Sequence, residues 1–369
     1  MDDWFFSGRL LWQRDNRIRG LIEVLPELFK DLEVVTLCGI TLCAIAVLCL
    51  SFRLLRTPCA QRPILRILIT GAASGLGRCL AQQLQLDGHE VFAVDVNQCI
   101  EAQSDNKWGK SATTNLTSKE PILNCQTSHK QKANFPIKSK MIDLSHPSAS
   151  LEIQSFIVNP VDVLICSAGV FTMGAIADLE DSQITKSFQV NLFGVWRAVK
   201  AVLDLQRETA VTSDRAALGH RPSIFIVSTE GTRLTHSPYT WPYLGSKRAL
   251  EDMADTLRKE ATPLCRSVTI VRPGAMRTPM LDELRKSCDN KDIDPLARKT
   301  RKLAHAFAKL SSLSPEEVAG RLCRVIARID RRLPPHELNI GFNPILGVAS
   351  ILPDRMVNFI QGLVLSWLS

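Results

Sequence analysis

Tyr243 and Lys247 stand four residues apart in Tyr243-Leu-Gly-Ser-Lys247, so on a helix they share one face, a single turn apart. A phenol ordinarily ionises near pH ~10, which makes it a poor acid-base group at neutral pH unless a fixed positive charge stabilises its phenolate. The ammonium of Lys247 is placed to supply that charge, which would let the phenol work as an acid-base group. The spacing alone is common in chains of this size. Its weight comes from what lies upstream.

After Pro63 the run Ile64 to Ile69 reads as a buried strand leading into Thr70-Gly71-Ala72-Ala73-Ser74-Gly75-Leu76-Gly77 and then a helical pattern, Cys79 to Leu86. Glycines are needed where backbone turns tightly and approaches a pyrophosphate, and the helix start supplies amide donors and the positive end of the dipole. A second strand, Val91 to Val94, ends in Asp95, 20 residues after Gly75. A carboxylate there accepts hydrogen bonds from the ribose hydroxyls of NAD and repels the extra phosphate of NADP. No basic residue follows at Val96 or Asn97, so NAD(H) is favoured over NADP(H).

Further along, Val161 to Ile165, Ser223 to Val227 and Ser267 to Val271 read as buried strands. Asp181 and Ser182 open a helix carrying Phe188 to Trp196, and another bears Tyr243 and Lys247. This alternation predicts an α/β chain with a doubly wound parallel sheet of Rossmann type. Ser314-Pro315-Glu316-Glu317 marks one more helix start, with a capping serine and proline at the first position.

Thr-Gly-x-x-x-Gly-x-Gly, here Thr70 to Gly77, resembles the glycine motif of the short-chain dehydrogenase/reductase family, and that family's other landmarks follow in order from Pro63 to Ile326. Asp143, in Met141-Ile-Asp-Leu144, matches an acid that contacts adenine. Cys166-Ser167-Ala168-Gly169 stands where most members have Asn-Asn-Ala-Gly, so two amides are replaced while Ala168 and Gly169 are kept. Asn191 matches a helix asparagine that holds a water linking the lysine to solvent. A serine at the strand end after Val227 bonds the reacting oxygen about 13 residues before the tyrosine; Ser228 lies 15 before and Thr229 14 before. Alignment on Gly231 favours Ser228, with Thr229 chemically able to serve. Pro273-Gly274-x-x-x-Thr278 resembles the segment that packs on the nicotinamide and bonds its carboxamide.

The resemblance implies hydride transfer between the nicotinamide and a carbon bearing a hydroxyl or carbonyl. Tyr243 would exchange the proton, Lys247 would depress its pKa and hold the ribose, Ser228 would donate to the alkoxide, and Asn191 would complete the proton path. NAD(H) points to alcohol oxidation. An NADPH-dependent lipid carbonyl reductase and a non-catalytic membrane-attached binding protein are the alternative readings.

The 45% hydrophobic content is ample for a core. The net charge of +8 is concentrated: Lys107 to Lys140 holds seven lysines and one acid, Glu120, in a polar insert at 98–138, with no nucleic-acid motif. Eleven cysteines without a Cys-x-x-Cys pair fit reduced thiols, with neither a disulfide framework nor a metal site. Residues 1–33 mix charge with bulky apolar side chains, as in a helix at a membrane surface. Val34 to Phe52 is uncharged over 19 positions, and at ~1.5 Å per residue it matches the hydrocarbon core. Arginines at 53, 56, 62 and 66 place the following domain, 63–330, in the cytosol, consistent with a single-pass protein of the endoplasmic reticulum. The segment Thr235 to Pro242 and a lid from Pro279 to Leu310 are expected to wall the pocket, and 331–369 to form an apolar membrane-associated tail. These features resemble the membrane-bound retinol and 17β-hydroxysteroid dehydrogenases of the family. They imply a hydrophobic alcohol or ketone met at the lipid bilayer and a homodimer through the helices bearing Asn191 and Tyr243.

Overall fold

A computed structural model describes residues 63–98, 135–212, 221–233, 238–261, 263–281, 313–341 and 352–368. The segments read from sequence as the amphipathic leader (1–33), the membrane span (34–52), most of the polar insert and most of the lid lie outside the described residues. Among the described residues no helix is long and apolar enough to cross a membrane.

Seven parallel strands form one sheet in the order β3-β2-β1-β4-β5-β6-β7. They are β1 (Arg66–Thr70), β2 (Glu90–Asp95), β3 (Lys138–Met141), β4 (Val163–Cys166), β5 (Ser223–Val227), β6 (Ser267–Pro273) and β7 (Glu337–Ile340). β1, β4, β5 and β6 are almost fully buried, which explains their continuous apolar runs. The chain order reverses between β1 and β4, and the crevice at that reversal opens beyond the carboxyl ends of the strands.

Helices cover both faces. On one, α1 (Gly75–Leu86) and α6 (Pro315–Ile326) bury Leu76, Leu80, Leu84, Val318, Leu322 and Ile326 against Ile67, Ile165 and Phe225. On the other, α2 (Ala149–Ile157), α4 (Val195–Thr212) and α5 (Trp241–Glu260) bury Ile153, Val199, Val202, Leu250 and Ala254 against Leu68, Leu164 and Ile224. This is the expected doubly wound layering.

Two features depart from the expectation. The helix expected to run unbroken past Asn191 is divided: α3 (Asp181–Phe188) passes into a π-helical segment, Gln189–Gly194, before α4 begins. Such bulges recur at functional sites, and this one centres on Asn191. The stretch 331–369, read as an apolar tail beyond a domain ending at residue 330, contributes β7. Its backbone continues the ladder, with Leu338 opposite Val271 and Ile340 opposite Pro273. The four residues of β7 are too few to show a periodicity of their own. The last described helix is α7 (Asp354–Leu368).

Ser314 caps α6 as its sequence predicts: its hydroxyl accepts from the Glu317 amide at 3.1 Å, and the Glu317 carboxylate accepts from the Ser314 amide at 3.0 Å. Ser314→Ala is expected to lower the unfolding free energy by about 1 kcal/mol in denaturant titrations, with Ser314→Asp retaining most of it.

Candidate active site

The glycine turn between β1 and α1 is held by backbone contacts that leave no room for side chains. Gly71 has φ +72°, and a Cβ there would lie 2.6 Å from the Ala168 backbone; a Cβ on Gly77 would lie 2.1 Å from the Gly71 carbonyl oxygen. Gly75, at φ +50°, opens α1, where the Ser74 side chain makes no capping bond to the first amides. The result is a bare helix N-terminus facing the sheet's carboxyl end, a fit for a pyrophosphate. Thr70 is fully buried, and its hydroxyl lies 3.4 Å from the Ala168 amide. Thr278 packs its methyl against Gly75, 3.3 Å from the place of a Cβ there, so the segment after Pro273 and Gly274 reaches the glycine turn.

Asp95 stands at the end of β2, its carboxylate accepting from the amides of Ala73 (3.0 Å) and Asn97 (2.9 Å). It therefore braces the glycine turn while its charge stays at the rim. Asp143 follows β3, which is joined to β2 by the bond from the Ile142 amide to the Asp95 carbonyl. Hydrogen bonds from the Ser145 hydroxyl and amide hold the exposed Asp143 carboxyl below its usual range, against a smaller opposing effect of burial.

α5 presents Tyr243 and Lys247 to the crevice. Burial pushes the Tyr243 phenol up to about 12, with a hydrogen bond from the Thr229 side chain pulling the other way. Burial lowers Lys247 to about 8, opposed by attraction to the Cys166 sulfur in its ionised form and to the Glu251 carboxylate. The Lys247 ammonium donates to the Val227 carbonyl at 2.9 Å and lies beside the Gly169 backbone. The expectation that Lys247 depresses the tyrosine pKa is thus not met in the ligand-free site. Loss of water around the phenol outweighs the charge, and the ammonium is turned to the end of β5.

The expected order of the two hydroxyls is reversed. Ser228 is 3% exposed, its amide extends the ladder to the Val271 carbonyl, and its hydroxyl donates to Glu251 at 2.5 Å, away from Tyr243. Thr229 is the hydroxyl that meets the phenol. Distance along the chain carried this signal, since 14 residues lies closer to the family's spacing than 15; alignment on Gly231 hid it.

Asn191 is fully buried and its side chain is committed. It accepts from the Val170 amide (2.8 Å) and donates to the Val170 carbonyl (3.0 Å) and to the Ser246 hydroxyl (3.0 Å). The side chain is a brace joining the π-helical segment, the chain after Gly169 and α5. Phe171 packs on Tyr243 with ring centroids 4.9 Å apart, an apolar wall that sequence reasoning missed. Cys166, where an amide was expected, is buried at the end of β4; its thiol is pushed up to about 12 and is neutral at physiological pH.

A family model described as short chain dehydrogenase matches residues 109–289. The chain is 25% identical over 310 residues to a 3-ketodihydrosphingosine reductase of Bacteroides thetaiotaomicron, covering 79% of this chain and 95% of that one. Two solved structures share the fold at a TM-score of 0.51. One is an alcohol dehydrogenase from Thermococcus sibiricus complexed with 5-hydroxy-NADP, at 18% identity; the other is a 4-hydroxyisoleucine dehydrogenase complexed with NADH, at 19%. Each covers 75% of this chain and 96% of its own.

Thr229→Val is expected to lower kcat by roughly 100-fold through loss of a hydroxyl at the reacting oxygen, and Ser228→Ala only a few-fold, in steady-state assays of the two variants side by side.

Proposed function

We infer that this chain is a member of the short-chain dehydrogenase/reductase family and interconverts a hydrophobic alcohol and its carbonyl with NAD(H) as the preferred dinucleotide. The observation that carries the reading is the gathering of Tyr243 and Lys247 at the end of β5, where the Lys247 ammonium donates to the Val227 carbonyl beside Gly169 and the Thr229 side chain lies by the buried phenol.

The bare start of α1, Gly71, Gly75, Gly77, Ala168 and Gly169 would hold the dinucleotide, Asp95 its adenosine ribose, and Pro273, Gly274 and Thr278 its nicotinamide end. When bound, the nicotinamide supplies or accepts the hydride. Thr229 and Tyr243 orient the reacting oxygen. With its pKa near 12, the Tyr243 phenol carries its proton at neutral pH and is set to donate it to a carbonyl oxygen as an alkoxide develops. Lys247, titrating near 8, remains mostly charged there and lowers the cost of the phenolate left behind. Oxidation of the alcohol runs the same proton transfer in reverse.

The apolar wall of Phe171 beside Tyr243 supports a hydrophobic substrate. The similarity to a reductase of 3-ketodihydrosphingosine supports a long-chain lipid ketone ahead of a steroid or retinoid. On α7, Met356, Phe359, Ile360 and Leu363 form an exposed apolar stripe, which with the uncharged run 34–52 supports association with a lipid bilayer, in keeping with the endoplasmic reticulum. Exposed Phe193, Trp196 and Trp241, on the segments bearing Asn191 and Tyr243, support a homodimer. The protonated Tyr243 favours the carbonyl-reductase alternative in direction; Asp95 weighs against NADPH.

The test is turnover by detergent-solubilised protein with NAD(H) and NADP(H) in parallel, over long-chain, steroid and retinoid alcohols and ketones. Tyr243→Phe is expected to lose at least about 100-fold in kcat, and Asp95→Ser to raise the NADP-to-NAD ratio of kcat/KM by about 10-fold or more. Nucleotide binding without turnover of any alcohol or ketone would leave the non-catalytic reading in its place. Because Lys247 titrates below its ordinary value, kcat/KM for ketone reduction is expected to hold through neutral pH and fall as pH passes about 8. Lys247→Arg should remove that limb.

A further inference from the structure

Glu251 lies one turn beyond Lys247 on α5, and its carboxylate takes four hydrogen bonds. Oε1 accepts from the Ser228 hydroxyl at 2.5 Å, the Thr232 hydroxyl at 2.8 Å and Arg272 Nε at 2.9 Å; Oε2 accepts from Arg272 Nη2 at 2.8 Å. Ser228 immediately precedes Thr229. Thr232 sits three residues after it, in the 3₁₀ turn Glu230–Arg233, and its hydroxyl also lies 2.9 Å from the Thr229 carbonyl, so its single proton is shared between that oxygen and Glu251. One carboxylate therefore grips the chain on both sides of the hydroxyl that meets Tyr243.

We propose that Glu251 is a positioning residue of the reaction centre: through Ser228 and Thr232 it fixes the Thr229 hydroxyl against Tyr243, and it sets a carboxylate one helical turn from Lys247. The inference rests on the reading of Tyr243, Thr229 and Lys247 given above.

Arg272 completes the device. Its guanidinium, 7% exposed, is bidentate to Glu251 and reaches Glu337 on β7 at 2.8 Å, where Arg233 also pairs. Burial alone would lower the Arg272 pKa, but the hydrogen bonds and charges of Glu251 and Glu337 outweigh it and raise it further. An apolar replacement of similar volume often matches or exceeds the stability of a buried pair of this kind, so stability alone is a weak account of its place here. The pair instead ties β5, the 3₁₀ turn, α5, β6 and β7 together within one residue of Thr229. Lys247 faces the neutral thiol of Cys166 from β4, Gly169 and the Asn191 amide oxygen near its ammonium, the Val227 carbonyl from β5, and Tyr243 and Glu251 from its own helix. Among these, Glu251 is the carboxylate.

Glu251→Gln keeps the size of the side chain and removes the charge; Glu251→Asp keeps the charge and shortens the reach. In Glu251→Gln the alkaline limb of kcat/KM for ketone reduction is expected to move to lower pH, with kcat down about 10-fold and nucleotide affinity within about 2-fold of the parent. In Glu251→Asp the limb should stay while kcat falls. Both should speed amide hydrogen exchange in the Glu230–Arg233 turn, a readout independent of turnover. Should the Glu251 variants fail to fold, Ser228→Ala combined with Thr232→Ala releases the grip and leaves the ion pair intact; it is expected to lower kcat about 10-fold without moving the limb.

A folded Glu251→Gln with parental kcat and an unmoved limb, or a double variant with parental kcat, would overturn the proposal. Tyr243→Phe, measured alongside, separates the two levels. If it is inactive while Glu251→Gln is silent, only the positioning role falls. If it keeps full activity, the underlying reading falls with it.

Discussion

Adjacent residues of an extended strand point to opposite sides, and at the end of β5 that rule divides two hydroxyls between two tasks. The Ser228 amide still bonds the Val271 carbonyl, so the chain is extended there and the Ser228 side chain turns to Glu251. Thr229, the next residue, is thereby turned to Tyr243. The Val227 carbonyl, one residue earlier, anchors the Lys247 ammonium. Three consecutive residues of one strand end thus set the lysine, the hydroxyl held by Glu251 and the hydroxyl beside Tyr243. The rest of the fold keeps that strand end in register with α5.

Burial then shapes the chemistry. The same loss of water that raises Tyr243 to about 12 lowers Lys247 to about 8, which brings two groups ordinarily near the same pKa to opposite sides of it. At rest the phenol is neutral and the ammonium mostly charged, the distribution needed to pass a proton to a carbonyl oxygen. A Cβ on Gly169 would lie 3.5 Å from the Lys247 ammonium and a tight 3.3 Å from the Asn191 amide oxygen, so the glycine lets both side chains pack close to the chain after β4.

What the sequence made legible was local. The runs of β1, β4, β5 and β6 are apolar because both faces of the sheet are covered, the glycine turn is required by backbone contacts at Gly71 and Gly77, and the Ser314 cap is written in four consecutive residues. What escaped it depends on distance and direction. The choice of Thr229 over Ser228 follows from which way each side chain leaves the strand. The Glu251–Arg272 pair joins residues 21 positions apart, and the π-helical turn at Asn191 answers to partners at Val170 and Ser246. β7 carries too few residues to show a pattern and is fixed by its ladder to β6. In the ligand-free site burial outweighs the lysine at the phenol, and desolvation has no signature in residue spacing.

The chain holds two tyrosines, Tyr239 and Tyr243, so in a Tyr239→Phe background the ultraviolet tyrosinate signal reports Tyr243 alone. Titration of that variant with and without NAD tests the central claim directly, that Tyr243 is the proton carrier of a nicotinamide-dependent site. The ligand-free protein should show no tyrosinate through pH ~10, the ordinary range of a phenol, and addition of NAD should bring the signal to markedly lower pH while Lys247 is intact. A phenol that titrates near its ordinary value in the free protein and does not respond to NAD would contradict the account.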